Sequence, residues 1–426
     1  MLAWLQRPVD ALPLAVFRIA FGVLMLYSTL RFISNGWVRE FYIDPIYHFT
    51  YLGFGWVRPL PPTGMWLVFG LLVILSVLIA VGLFTRWSVA AFFLLFTYVE
   101  LIDKTYYLNH YYFVSVMSLL MIALPLNVRG SVDAKLFPSV RADAVPAWTV
   151  YAPRLMLGIV YFYAGIAKLN PDWLFGALPL RIWLPANADI PLIGSLFDHL
   201  WVAYIFSWFG AFYDLTIPFF LVWRRTRPLA YLAVIGFHVM TAVLFNIGVF
   251  PWVMIACTLV FFDGRDWRRL AARLRVHLPQ PTLTPSRRTA PVLLVAVAVF
   301  FVWQVLMPLR HWLYPGNHLW TNQGYRFAWH VMLVEKTGTV SYRVEDPDSD
   351  RFWVVYPDQY LTPQQEQQMS FQPDMIVQFA HFVGEEYSER CHCTPAVYAD
   401  TYVSLNLRPG QPIISDNVDL YLLSGQ

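Results

Sequence analysis

The sequence predicts an α-helical polytopic membrane protein with about nine transmembrane helices and a C-terminal, extracytoplasmic, mostly-β domain of sandwich-like form. Three observations predict this fold class. Hydrophobic residues make up 58% of the 426 residues and charged residues only 13%, which lies outside the usual balance of soluble proteins. Apolar runs close to membrane-spanning length recur through the first 309 residues. After residue 310 the apolar runs shorten and alternate with polar residues, as they do in strands.

The apolar runs define the predicted helices, because a membrane span needs about 20 mostly apolar residues. The first run has no small-residue cleavage site behind it, so we expect it to be a retained span. The segment "FNIGVFPW" between the seventh and eighth runs is either a re-entrant break or a tight turn outside the bilayer. The runs cover residues 13–34, 64–84, 87–102, 109–126, 148–169, 199–223, 228–247, 249–262 and 289–308.

The Lys and Arg residues of the connecting segments predict the orientation. One side of the predicted bundle carries fifteen of these cations, including the seven arginines from Arg265 to Arg288, and the other side carries five. This bias predicts a cytoplasmic N-terminus and, because the number of spans is odd, an extracytoplasmic C-terminal domain. The net charge of +3 is too small to indicate a nucleic-acid partner. We therefore expect a helical membrane domain over residues 1–309 and an extracytoplasmic β-rich domain over residues 310–426.

The C-terminal domain is predicted from four segments with alternating polarity. They are "VSYRVED", "RFWVVYP", "TYVSLNL" and "VDLYLLS", and turn sequences such as "EDPDSD" and "RPGQP" lie between them. Four short strands with one apolar face each are typical of a small sandwich. We expect this domain to rest on the outer face of the helices.

Lys168 is the most informative polar residue, because it follows the apolar run "VYFYAGIA". An ionisable group at membrane depth costs several kcal/mol and therefore invites a functional hypothesis. The small residues Ala164 and Gly165 precede Lys168 by one helical turn, with Tyr161 a further turn away, which predicts open volume beside the amine. Desolvation there would favour a neutral amine that can act as a base. The alternative is a lysine that extends to the membrane interface beside Trp173.

Further polar residues are predicted on the same outer side of the bundle. Asn109 and His110 begin the fourth predicted helix, and both can donate hydrogen bonds to an oxyanion; helix capping is the alternative role for Asn109. His238 and His311 are each, taken alone, typical of hydrogen-bonded core or interface histidines. Together with Lys168, these residues predict a polar site for a flat apolar substrate. Arg18, Arg154 and Asp214 are expected to be structural charge partners. Asp103 and Lys104 lie at a predicted helix end, where either an interfacial ion pair or extension of the lysine to the membrane interface would explain them.

The sequence does not predict a metal site. The motif "CHC" at Cys391 to Cys393 has only His381 and His392 nearby as further ligands, which favours ordinary thiols or an oxidised pair.

Five longer motifs occur along the chain in a fixed order. They are "DKTYYLNHYYF", "VYFYAGIAKLNPDW", "FHVMTAVLFNIGVFPWVMI", "LWTNQGYRFAWHVML" and "YVSLNLRPGQPIISDNVDL". Together they resemble the vitamin K-dependent gamma-glutamyl carboxylase family, as a short homologue. The opening "LAVFRIAFGVLM" also resembles the start of the horizontally transferred transmembrane (HTTM) domain of that family. The similarity extends over nearly the whole chain.

The resemblance implies a membrane enzyme that oxidises vitamin K hydroquinone with O2 to the epoxide and couples this to removal of a γ-proton from a protein glutamate, to which CO2 adds. Its implied co-substrates are vitamin K hydroquinone, O2 and CO2, without a metal, and its partners are a glutamate-containing peptide or protein and membrane lipid. By motif position Lys168 matches the catalytic base, with Asn109 and His110 at the quinone pocket. The residues implied in binding the vitamin are His238, His311, Tyr161 and Asp103, and those implied in binding glutamate are Tyr325 and Trp329.

Three other functions fit the same residues. One is a quinol epoxidase that does not carboxylate glutamate. Another is a transporter in which the intramembrane charges form a pathway, although the two halves of the chain lack paired broken segments. The third is a membrane scaffold whose outer domain binds a partner and whose intramembrane charges are purely structural.

Overall fold

A computed structural model describes residues 2–283 and 289–423. Arg287 and Arg288, which contribute to the predicted charge bias, and Ser424, the last residue of the fourth predicted strand, lie outside these residues. The helices are α1 (Leu2–Leu5), α2 (Leu12–Ser34), α3 (Trp37–Tyr42), α4 (Pro62–Val81), α5 (Thr85–Ile102), α6 (Asn109–Ile122), α7 (Val132–Leu136), α8 (Ala147–Ala167), α9 (Pro171–Gly176), α10 (Leu180–Trp183), α11 (Leu200–Val222), α12 (Arg227–Leu244), α13 (Phe250–Thr258), α14 (Gly264–Arg273), α15 (Pro291–Leu306), α16 (His318–Thr321), α17 (Pro363–Met369) and α18 (Pro373–Cys391). The strands are β1 (Pro8–Asp10), β2 (Ala144–Pro146), β3 (Lys336–Glu345), β4 (Phe352–Val355) and β5 (Ala396–Leu405).

Seven helices of the described chain are long and apolar enough to cross a membrane: α2, α4, α5, α8, α11, α12 and α15 with the turn that follows it. The predicted runs at 109–126 and 249–262 form the shorter helices α6, of 14 residues, and α13, of 9 residues. Fourteen residues rise only about 21 Å at 1.5 Å per residue, less than the bilayer core of about 30 Å. The predicted count of nine spans therefore stays a prediction.

Both short helices nevertheless connect the two ends of the bundle. At the end that carries the N-terminus, here called the basic end, Asp10 pairs with Arg129 after α6 and with Arg268 on α14. At the opposite end, here called the domain end, Asn109 at the start of α6 donates to the carbonyl of His330 in the C-terminal region. Residues 245–249 form a short connection between α12 and α13 at the domain end, so both interpretations of "FNIGVFPW", a re-entrant break and a tight turn outside the bilayer, stay predictions.

The charged residues of the basic end are structural, as predicted for Arg18 and Arg154. Arg18 is fully buried and donates to the carbonyls of Ile79, Ala80 and Gly130. Arg154 donates to the Val260 carbonyl and pairs with Asp263 at 3.1 Å. The short strands β1 and β2 pair antiparallel there. These contacts hold the helices together at the basic end.

The C-terminal domain contains one antiparallel sheet of order β4-β3-β5. Its three strands lie at the first three predicted segments, and β3 and β5 alternate between buried and exposed residues. The predicted sandwich is not found, because no second sheet faces this one among residues 310–423. The buried face of the sheet packs against α18, and the described part of "VDLYLLS" forms no strand. The apolar residues of α18 recur at helical spacing, which the strand prediction overlooked: Met375, Ile376, Phe379, Ala380, Val383 and Tyr387.

Polar contacts hold this domain on the membrane helices. Asp374 at the start of α18 pairs with Lys104 at 2.7 Å and with Arg326 at 2.8 Å. Gln365 on α17 donates to the Asp103 carboxylate at 2.9 Å. The domain therefore closes the end of the bundle at which Asn109 lies.

Candidate active site

Lys168 forms a buried ion pair with Asp214. Its Nζ atom lies 2.8 Å from Oδ2 of Asp214 on α11 and 3.2 Å from the carbonyl oxygen of Ala164, and both charged side chains are 7% exposed. The two helices approach closely at Gly165, where an added Cβ would lie 2.8 Å from the backbone nitrogen of Leu215. The volume predicted beside Gly165 is thus filled by α11, and this close approach brings Asp214 to the lysine.

The ion pair lines a narrow cavity of about 80 Å³, here called the lysine cavity. Tyr161 and His238 are hydrogen-bonded in its lining, with 2.9 Å between the Tyr161 hydroxyl and His238 Nε2. His238 Nδ1 is buried and has no hydrogen-bond partner within residues 2–283 and 289–423. The remaining lining is almost entirely apolar and includes Trp173, Phe209, Phe237, Phe250, Met240, Met254 and Met332. Methionine side chains are flexible, so this lining can adjust to a flat ring.

A second and larger cavity of about 490 Å³, here called the outer cavity, lies at the domain end. Asn109 and His110 line it. The Asn109 amide donates to the His330 carbonyl at 2.8 Å and accepts from the Tyr107 hydroxyl at 3.1 Å, so the side chain is held in place. His110 is 5% exposed, and its Nε2 has no partner in the described chain. An unpaired buried nitrogen beside a cavity is suited to a ligand.

The two cavities share four lining residues, Ile247, Phe250, Val331 and Met332. The Phe250 ring centroid lies 5.8 Å from that of His110 and 5.6 Å from that of His238. The sequence predicted a single polar site, whereas the structure places Lys168 and His110 in two adjacent cavities on either side of this ring.

The comparisons with known proteins divide the chain into two matches. Residues 6–267 match the family model of the HTTM domain, and residues 289–424 match that of the vitamin K-dependent gamma-carboxylase, lumenal domain. The chain belongs to the vitamin K-dependent gamma-carboxylase family. No solved structure matches it. The second match supports an extracytoplasmic C-terminal region in this gamma-carboxylase family member, and its multiple apolar helices support a multi-pass membrane protein.

Other site residues predicted for this gamma-carboxylase family member lie away from both cavity linings. Asp103 accepts hydrogen bonds from Thr105 and Gln365 and lies 3.3 Å from His48 Nδ1, which ties the segment after α5 to α17. His311 Nδ1 bonds the Pro308 carbonyl at 2.8 Å. In this structure neither residue contacts the space beside Lys168.

Tyr325, which is partly buried, and Trp329, which is buried, lie beside the two cavities rather than in their linings. The Tyr325 ring lies 4.8 Å from His330, and the Trp329 ring lies 5.0 Å from Tyr112. Trp329 is 1% exposed, and its indole nitrogen has no partner among the described residues. The next residues, Val331 and Met332, reach both cavities. Tyr325 and Trp329 therefore support the segment that separates the cavities.

Sequence reasoning missed three features of the site. Asp214 was expected to be a structural charge partner, but sequence spacing could not show that it pairs with Lys168, because the two residues lie on different helical segments. His318 and His330 contact His311, with ring centroids 4.3 Å and 5.4 Å from it. Arg31, counted only as a loop cation, lines the outer cavity. A signal was available for His330, because it lies in the family motif "GYRFAWHVML".

Among the ionisable groups of the C-terminal domain whose pKa values are shifted, Asp374 and Lys336 lie near its contact with the helices. Burial would raise the pKa of Asp374, but the charges of Arg326 and Lys104 outweigh it and hold the pKa well below its usual range. Burial lowers the pKa of Lys336, at the start of β3, to about 7, against an opposing effect of Asp374. Both groups lie where the domain meets the bundle.

The "CHC" cysteines form the disulfide Cys391–Cys393 at the end of α18. Within residues 2–283 and 289–423, no group of three or more His, Cys, Asp or Glu side chains is arranged to hold a metal ion.

Proposed function

We propose that this chain is an integral membrane vitamin K-dependent gamma-carboxylase. It oxidises vitamin K hydroquinone with O2 to the epoxide, and the strong base formed in that reaction removes a γ-proton from a protein glutamate, to which CO2 adds. Membership of the gamma-carboxylase family supports the reaction class. The observation that carries the proposal for the site is the Lys168–Asp214 pair in an apolar cavity.

The lysine cavity suits the reduced quinone. Its aromatic side chains offer flat apolar surfaces. Its few polar groups include Lys168 directly after α8, Tyr161 on α8, Asp214 on α11 and His238 on α12. Small-molecule sites commonly have this composition, an apolar lining with a few placed polar groups. The methionine side chains would rotate to admit the ring.

Lys168 would take the first proton. In a cavity with little water, transfer of the ammonium proton to Asp214 gives a neutral amine beside a carboxylic acid, without leaving a lone buried charge. The amine then accepts the proton of a quinol hydroxyl and becomes an ammonium next to the quinolate. A quinol hydroxyl resembles the tyrosine phenol, with a pKa of about 10, so the anion needs stabilisation. The ammonium and the hydrogen-bond donors of His238 and Tyr161 would supply it.

Asn109 and His110 would act from the other side of Phe250. Rotation of the Phe250 ring would join the two cavities and bring the unpaired His110 Nε2 toward the quinolate oxygen. The apolar residues shared by the cavities exclude water from the base generated during oxygenation, and water would otherwise quench it.

The orientation is part of the proposal. The cation bias predicts a cytoplasmic basic end, which places both cavities near the extracytoplasmic side, where secreted or lumenal glutamate substrates are accessible.

The test uses the purified full-length chain in lipid nanodiscs with vitamin K hydroquinone and air. The wild type is expected to form the epoxide and Lys168→Met to form none. Lys104→Met is the matched control, because Lys104 also pairs with a carboxylate, Asp374, at 2.7 Å but lies outside both cavities. Epoxide formation should persist in this control. A folded wild type that forms no epoxide overturns the proposal.

A second measurement separates carboxylation from epoxidation. Labelled CO2 should enter a glutamate peptide during turnover of the wild type, in proportion to the epoxide formed. Epoxide without any label would reduce the function to quinol epoxidation. Movement of vitamin K hydroquinone or of the glutamate peptide across sealed proteoliposomes, without formation of epoxide, would instead indicate a transporter.

A further inference from the structure

The outer cavity contains a cation without a counter-charge. Arg31, at the end of α2, lines this cavity and is partly buried, and its guanidinium forms no ion pair or side-chain hydrogen bond with the residues that the structure describes. Its contact is with the Trp37 ring, whose centroid lies 4.7 Å from the guanidinium carbon. Stacking on Trp37 orients the planar group and leaves its N–H donors free. A half-buried arginine normally satisfies these donors with carbonyl or carboxylate oxygens, and an anion gives the stronger, charge-assisted bond.

We propose that the outer cavity is the binding site for the substrate glutamate and that Arg31 binds its side-chain carboxylate. This inference rests on the proposed function, since it assigns the second substrate of that reaction. It adds a residue outside the segment around Tyr325 and Trp329 that the family resemblance implicates. Arginine and carboxylate are geometrically matched, because two parallel N–H groups face two oxygens.

The composition of the outer cavity fits a peptide side chain rather than a lipid tail. Besides Arg31 it carries amide groups from both the membrane helices and the C-terminal domain, which can bond peptide groups. The second charged residue of the lining, Glu40, is exposed and forms no ion pair with Arg31 among the described residues. The amide side chains are Asn109, Asn246, Gln364 and Gln368.

The size and position of the cavity also fit this substrate. Its volume of about 490 Å³ far exceeds that of one water, about 30 Å³, and admits a side chain together with part of its backbone. It is lined by α3 on the membrane domain and by α17 on the C-terminal domain, so an extended peptide can approach from the outer face. The residues that it shares with the lysine cavity place a carboxylate held by Arg31 next to the quinol site. A glutamate γ-carbon must meet a base formed from the quinol, and this adjacency allows it.

The test measures peptide binding directly. The probe is a fluorescein-labelled decapeptide with one glutamate, and the same peptide with glutamine is the reference; both are titrated by anisotropy against full-length protein in zwitterionic nanodiscs. The wild type should bind the glutamate peptide more tightly than the glutamine peptide. Arg31→Gln should weaken binding of the glutamate peptide about 10- to 100-fold, because it removes a charge-assisted bidentate contact. Arg31→Lys should recover part of it. In turnover assays Arg31→Gln should raise the peptide KM more than it lowers kcat.

Arg39→Gln is the matched control. Arg39 lies on α3 at the same end of the chain's bundle, is exposed, pairs with Asp44 at 3.0 Å and does not line the cavity, so its loss should leave peptide binding unchanged. Equal binding of the glutamate peptide by wild type and Arg31→Gln overturns the inference. Loss of peptide binding in nanodiscs with anionic lipid, at constant ionic strength, would assign Arg31 to a lipid phosphate and also overturn it. The anisotropy titration requires no epoxide formation. A protein that binds the glutamate peptide but forms no epoxide would therefore contradict the proposed function and not the peptide site.

Discussion

Removing one member of the Lys168–Asp214 pair should destabilise the protein far more than removing both. Each side chain is 7% exposed, so Lys168→Met leaves a buried carboxylate and Asp214→Leu leaves a buried ammonium. Breaking a buried ion pair in this way costs about 3–5 kcal/mol, whereas replacing both charges with apolar groups of similar volume is often neutral. If the effects were independent, the double variant would lose the sum, about 6–10 kcal/mol. We expect it to lie within about 1 kcal/mol of the wild type.

The free energy of unfolding can be measured for the four proteins in mixed micelles by titration with a denaturing detergent, followed by tryptophan fluorescence. The stable double variant then serves a second purpose. It should bind no quinol productively and form no epoxide, which separates the chemical role of the pair from its effect on folding. A double variant as unstable as the sum of the single variants would show that the two charges do not interact in the folded protein, and the proposed proton transfer between them would have no basis.

Three further predictions concern the wall between the cavities and the attachment of the C-terminal domain. Phe250→Ala should join the cavities and admit water, so the ratio of carboxylated glutamate to epoxide should fall about tenfold, equivalent to ~1.4 kcal/mol; an unchanged ratio would exclude the ring as a water barrier. Asp374→Asn leaves Lys104, which is 6% exposed, and Arg326, which is 16% exposed, without their carboxylate. Because Asp374 itself is 38% exposed, the unfolding free energy should fall by only about 1–3 kcal/mol, a loss that Asp44→Asn, at an exposed pair, should not show. Burial of Lys336 lowers its pKa from 10.5 to about 7, so between these values the unfolded chain holds a proton that the folded protein has released. Stability should rise with pH across this window by up to about 1.4 kcal/mol per unit and be lowest below pH 7; Lys336→Met should abolish the rise in unfolding titrations.

The membrane helices could be predicted because the length of an apolar run depends only on consecutive residues. The family and the multi-pass character are confirmed, and the strands β3, β4 and β5 lie at segments whose alternation was visible. The sandwich failed at α18, where Met375, Ile376 and Phe379 follow a helical period inside a region taken to be β. Because the helical pattern of α18 was assigned to strands, the domain was predicted to be a sandwich rather than a sheet covered by a helix.

For the lysine cavity, the sequence pointed to several residues that line it but not to their arrangement. Lys168, Tyr161 and His238 could be chosen because polar groups in apolar helices are costly and therefore conspicuous. Their geometry depends on contacts between distant segments, such as the approach of α8 to α11 at Gly165, which no spacing rule contains. Arg31 shows the same limit, since a cation at a helix end looks like a topology signal until the cavity beside it is known.

The bond between Cys391 and Cys393 allows the location of the C-terminal domain to be determined without any enzymatic assay. Cytosolic thiols keep cysteines reduced, whereas secretory and periplasmic compartments oxidise them. A chain inserted with its C-terminal domain in the cytosol would therefore carry two alkylatable thiols at the end of α18, and a chain inserted the other way would carry none there until a reductant is added. The third cysteine, Cys257, is buried in α13, so a bulky maleimide added to unreduced membranes would distinguish the two insertions by a gel shift.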